Sequence, residues 1–89
     1  MIVAVRVSAG LAQELGSPRL AVTLAEGATV ADLLAHLRAA YPAAARLAIA
    51  LPIVAGQYVG AAHPLTPETE VALLLPVAGG APSPAQEVP

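Results

Sequence analysis

Residues Leu74 to Ser83 read L-L-P-V-A-G-G-A-P-S, and the change of character inside this stretch divides the chain. Upstream, Glu70 to Val77 has the pattern of a final strand, with Val71, Leu73 and Leu75 alternating against Ala72 and Leu74. Downstream of Pro76 the chain thins to Val77, Ala78 and the pair Gly79-Gly80, then becomes A-P-S-P-A-Q-E-V-P over residues 81–89. Glycines carry no Cβ and can thread a narrow channel. A carbonyl at Gly80, held on such a stalk, is within reach of another enzyme.

The opening of the chain supplies the partner for that strand. In Met1 to Ser8, Met1, Val3, Val5 and Val7 share one face, and Ile2, Ala4, Arg6 and Ser8 share the other. Ala9 to Leu15 allows a helical turn or two before Gly16 and Ser17-Pro18 stop it. Arg19 to Leu24 alternates again, close enough to form a hairpin with the first strand. After a turn at Ala25 to Ala28, Thr29 is the N-cap, and Asp32 in the first turn supports it, of a helix over Val30 to Tyr41. Val30, Leu33, Leu34, Leu37 and Tyr41 form its apolar stripe, and Pro42 ends it. A short helical stretch over Ala43 to Ala48, a break at Pro52, a strand from Ile53 to Ala55, a turn at Gly56-Gln57 and a loop around His63-Pro64 complete the reading.

Pairing the first and last strands at the sheet centre buries the most apolar surface, and the helix between them becomes a crossover. The expectation is an α+β fold of β-grasp (ubiquitin-like) topology, a mixed sheet with one main helix packed across it. Residues 1–80 form the domain and 81–89 a proline-rich, extended and mobile extension.

Composition narrows the function. With 89 residues the chain is one small domain that buries about 60% of its unfolded surface. Its core is aliphatic, because Phe, Trp and Cys are absent and there are only two Tyr. Without Cys there is no thiolate metal site, thiol nucleophile or redox motif, and a cytoplasmic location is the default. A formal charge of -2, with four Arg and no Lys, argues against a nucleic-acid partner. Charged residues interrupt each apolar run before it reaches membrane-spanning length, so no membrane partner is expected.

His36 forms an exposed i, i+4 pair with Asp32, and His63 shapes a loop; neither is expected to hold a metal. Ser8, Ser17 and Ser83 lie in strand, turn and tail contexts without a nucleophile motif, so no catalytic residue is assigned. Asp32 and Glu26 suit the helix dipole better than acid-base chemistry.

With these elements in place, the sequence resembles the MoaD/ThiS family of ubiquitin-like sulfur carriers, and most closely its molybdopterin synthase small-subunit branch. The carriers of the resemblance are Ala9-Gly10-Leu11, Glu26-Gly27-Ala28-Thr29-Val30 with Leu33-Leu34, His63-Pro64-Leu65-Thr66, and above all the strand and stalk from Glu70 to Gly80. The resemblance implies that Gly80 carries sulfur as a thiocarboxylate, after an E1-like enzyme has adenylated it with ATP and a sulfur donor has attacked the adenylate. It also implies delivery to the large subunit of molybdopterin synthase for molybdenum cofactor biosynthesis, with Pro76, Val77, Ala78 and Gly79 threading the partner's channel. The chain itself binds no cofactor and is no enzyme on its own. By strand position the family's docking patch maps to Ser8, Tyr58 and Leu74. Ser8 replaces a large apolar residue there, and Ala55 stands ahead of the Gly56 turn where the family commonly has Asn.

A working carrier must end at its second glycine, yet nine residues follow Gly80 here. Three readings stay open: a peptidase removes 81–89, this reading frame differs from that of the active form, or carrier function is lost. Length favours the molybdopterin branch over thiamine carriers, and carriers for cysteine or tRNA thiolation remain alternatives. A ubiquitin-like modifier or interaction module without sulfur chemistry is the reading from a different class.

Overall fold

The computed structural model describes residues 1–76. Five strands, two α-helices and a 3₁₀ segment follow in the order β1 (Ile2–Val7), α1 (Ala9–Leu15), β2 (Arg19–Thr23), α2 (Val30–Ala40), the 3₁₀ segment Ala45–Ile49, β3 (Leu51–Val54), β4 (Gln57–Tyr58) and β5 (Val71–Leu74). The strands form one sheet in the order β2-β1-β5-β3-β4. As the apolar pattern predicts, β1 and β5 pair in parallel at the centre, Val5 opposite Val71 and Val7 opposite Leu73. All other pairings are antiparallel. This is the β-grasp arrangement.

Each element forms for a local reason. In β1, Val3, Val5 and Val7 are buried while Ile2, Ala4 and Arg6 are exposed, which is the period-2 alternation of a half-buried strand. Helix α1 closes on Gly16, whose φ of 85° permits its N–H to donate to the Ala12 carbonyl at 2.8 Å. Helix α2 begins where the Asp32 carboxylate turns back to accept from the Thr29 backbone N–H at 2.9 Å. Its next free donors are met by a distant loop: Val30 N–H donates to the His63 carbonyl and Ala31 N–H to the Ala61 carbonyl. The loop around His63 is therefore tied to the start of the helix through its backbone.

Val30, Leu33 and Leu37 of α2 pack with Val3, Val5, Val71 and Leu73 of the central strands, and Leu11 and Leu47 close the cluster. Burial of a Val or Leu side chain contributes about 1.5–3 kcal/mol, so aliphatic residues alone sustain this core. No charged or polar residue is buried in it among the described residues.

The structure revises three boundaries. Pro52 does not precede a strand but lies within β3, opposite Leu73. Its carbonyl accepts from Val59 N–H at 3.2 Å, toward the outer edge. A residue's N and C=O point the same way in a strand, so the missing N–H also faces the side where β4 has ended. Strand β5 stops at Leu74 instead of continuing to Val77, which lies outside the described residues. Its neighbours explain this: β3 begins at Leu51, the partner of Leu74, and β1 gives way to α1 after Val7. The helical stretch expected over Ala43 to Ala48 forms as the 3₁₀ segment Ala45–Ile49.

The β3–β4 hairpin turns through two residues only. Both have left-handed backbone, Ala55 at φ 53° and Gly56 at φ 79°, as a two-residue turn of the I′ kind requires. The turn chemistry expected from Gly56 alone thus extends to Ala55.

Candidate functional site

The sheet has one face under α2 and one face free. Alternation and register decide which side chains reach the free face. Arg6, Ala72, Ile53 and Tyr58 lie side by side across β1, β5, β3 and β4. One step along, Leu74 stands opposite Leu51, with Ser8 next to Leu74 as β1 leads into α1. The three positions named from sequence, Ser8, Tyr58 and Leu74, are therefore brought to one face.

They are not equivalent. Tyr58 is 67% exposed and Leu74 39%, so each presents apolar surface that nothing among the described residues covers. Ser8 is half-buried; its backbone N–H donates to the Leu73 carbonyl at 3.0 Å, and its Oγ is enclosed without a hydrogen-bond partner among the described residues. Half-buried Leu51 and Ile53 complete the patch between Leu74 and Tyr58. Taking Pro52 as a break leaves Leu51 outside the expected strand, and Ile53, inside it, is assigned to no face. Counting back from the Ala55-Gly56 turn, with alternation, would have placed Ile53 and then Leu51 on this face.

Charge borders the patch on the β1–β2 side. Arg6 and Arg19 both approach the Glu70 carboxylate, at 3.9 and 3.6 Å. Two guanidinium groups share this one carboxylate, and Glu68 stands beside them, so the border carries both signs. A groove of about 360 Å³ opens beside it, lined by Arg6, Ile53, Ala55, Glu68, Glu70 and Ala72.

The chain leaves the domain at the same end of the sheet as Leu74. Leu75 is half-buried against the core and Pro76 is exposed. Val77, Ala78, Gly79 and Gly80, read from sequence as the stalk and its reactive end, lie outside the described residues. Around Leu75 the packing is close. A Cβ added to Gly10 would come within 2.9 Å of Leu75 Cδ1 and 3.1 Å of Arg46 Nη1. The Arg46 guanidinium is fixed there, Nε donating to Glu14 Oε2 at 2.7 Å and Nη2 to the Gly10 carbonyl at 3.1 Å.

His36 is exposed on α2 and His63 half-buried in its loop. Among the described residues no three His, Cys, Asp or Glu side chains gather where they could hold a metal ion. No helix among them is long and apolar enough to cross a membrane. What the arrangement offers is an apolar face with a charged border, reaching Leu74 at the end of the sheet where the chain leaves β5.

Known proteins resemble this chain in sequence pattern and in fold. The ThiS family model matches residues 5–80. Among curated proteins none matches. Similar solved structures include SAMP1, a small archaeal modifier protein from Haloferax volcanii, at 26% identity and a TM-score of 0.76, covering 90% of this chain and 100% of that one. A putative molybdopterin converting factor subunit 1 from Pyrococcus furiosus shares 24% identity at a TM-score of 0.77, covering 86% and 99%. The fold also matches a chain in the complex of subunits 1 and 2 of the molybdopterin-converting factor from Helicobacter pylori, at 20% identity and a TM-score of 0.66, over 90% of this chain and all of that one.

Proposed function

Because the chain belongs to the ThiS family of ubiquitin-like sulfur carriers, we propose that it carries sulfur on the carboxyl group of Gly80 and delivers it within a molybdopterin synthase. The observation that carries this reading is where the family match ends. It spans residues 5–80 and closes on the second glycine, leaving residues 81–89 outside the shared domain.

The chemistry follows from the group. A carboxylate is a poor electrophile, so one of its oxygens attacks the α-phosphate of ATP on an E1-like adenylating enzyme, and pyrophosphate leaves. A sulfide-level donor then adds to the acyl carbon, the bond to AMP breaks, and a thiocarboxylate remains. The chain provides the reacting end and the docking face; catalysis belongs to its partners. The face of Leu74, Leu51, Ile53 and Tyr58 suits a large synthase subunit, since interfaces bury aromatic and aliphatic anchors at their centre. While residues 81–89 are attached, Gly80 is an ordinary amide, so a peptidase that exposes it is a further partner.

The likeness to SAMP1 favours a second reading, a protein modifier joined through Gly80 to amines of other proteins. With no Lys in its own 89 residues, such a modifier cannot build lysine-linked chains on itself. Intact mass measured on protein from its native cells, with and without a thiol-alkylating reagent, separates the readings. A species ending at Gly80 with one carboxyl oxygen replaced by sulfur supports the carrier. A Gly80 adduct on a target lysine supports the modifier. The full chain to Pro89 alone, under conditions that demand the cofactor, refutes both.

A further inference from the structure

The chain that leads to Gly80 leaves the sheet at Leu75, and the described residues show how Leu75 is packed. Three elements meet there. Helix α1 contributes Gly10 and Glu14, the 3₁₀ segment contributes Arg46, and the chain leaving β5 contributes Leu75. The position a Cβ would take on Gly10 lies 2.9 Å from Leu75 Cδ1 and 3.1 Å from Arg46 Nη1, so the notch left by the glycine is filled by both. Arg46 is held from two sides, by Glu14 Oε2 at 2.7 Å and by the Gly10 carbonyl at 3.1 Å. The sheet ladder has ended one residue earlier, at the Leu51–Leu74 pair. Leu75 is therefore positioned by packing, against the core and in the notch at Gly10 that it shares with Arg46, and not by strand pairing.

We propose that Arg46, with Gly10 and Glu14, is a positioning residue for transfer at Gly80: it fixes Leu75 and so sets where the stalk leaves the docking face. This rests on the carrier reading above. A residue already fixed in the free protein need not be ordered when the tail enters a partner's channel. Were Leu75 free, fixing its backbone on docking would weaken productive binding by about five- to thirty-fold. The chemistry at Gly80, some five residues further on, would be unchanged once the tail was seated.

The test uses Arg46→Met, which keeps an unbranched stem over the notch and removes the guanidinium. Glu14→Gln, which retains an oxygen acceptor for Arg46, is the conservative companion. In the full chain, backbone amide relaxation at Leu75 is expected to show fast motion in Arg46→Met and order in the native protein and Glu14→Gln. With forms ending at Gly80, ATP–pyrophosphate exchange by the E1-like enzyme of the same cells is expected to show KM raised about five- to thirty-fold in Arg46→Met at unchanged kcat. Equal order at Leu75 in all three proteins overturns the brace, as does a fall in kcat with KM unchanged. If the native form ending at Gly80 supports no exchange, the carrier reading fails, and the relaxation result still decides whether Arg46 holds the root.

Discussion

Replacing Ala55 by Asn should make the protein more stable although it adds no packing. Ala55 sits at φ 53° in an exposed two-residue turn, and Gly56 follows at φ 79°. An L-residue with a Cβ loses about 1–2 kcal/mol in left-handed backbone, whereas Asn visits that region readily because its side chain bonds locally. Part of the loss remains for Asn, so we expect a gain of about 0.5–1 kcal/mol. For a domain of this size that corresponds to a rise in Tm of about 2–8 °C. Gly56→Ala is the matching control. A Cβ there meets nothing within 4 Å, so any penalty comes from the backbone alone, about 1 kcal/mol or more and a fall in Tm of at least about 4 °C. Thermal melts followed by circular dichroism, together with urea titrations to check that the m-value is constant, measure both. A neutral or lower Tm for Ala55→Asn, at unchanged m, would show that the turn is not strained as its φ values imply.

Three further outcomes follow from the geometry. Tyr58→Ala removes the most exposed large side chain of the proposed docking face, 67% open to solvent; titration calorimetry against the proposed large-subunit partner should show at least about tenfold weaker binding with Tm nearly unchanged. Asp32→Ala deletes the carboxylate that accepts from Thr29 N–H at 2.9 Å and from its hydroxyl at 3.2 Å; denaturant unfolding should show a loss of about 1 kcal/mol. Glu70→Gln, by contrast, should shift stability by less than about 1 kcal/mol, because its pairs with Arg6 and Arg19 are long and solvent-exposed.

Much of this fold is legible in the sequence wherever burial imposes a period. Val3, Val5 and Val7 announce β1, Leu33 and Leu37 announce α2, and pairing the two most apolar strands finds the sheet centre. Legibility fails where a residue's effect depends on its neighbour across the sheet. Pro52 looks like a break until the side its nitrogen faces is known. Leu75 continues the alternation of β5, but the partners of that strand run out at Leu74. On the proposed docking face, strand position and the family resemblance locate Ser8, Tyr58 and Leu74, while the misplaced start of β3 conceals Leu51. The Arg46 brace had no sequence signal. It joins residues 36 apart and exists only after α1 and the 3₁₀ segment have been folded against each other.

The parallel pair at the centre of the sheet has a consequence for how the protein is made. Val5 and Val71 come from opposite ends of the domain, so a ribosome must synthesise nearly all of it before its two central strands can meet. Until then the nascent β1 has only the β2 hairpin, with its other edge unpaired and its valines uncovered. Closing so long a loop is slow, and an open apolar edge invites pairing with other chains. Nascent protein stalled before residue 71 should therefore be protease-sensitive and dependent on chaperones, and resistance should appear abruptly once β5 emerges.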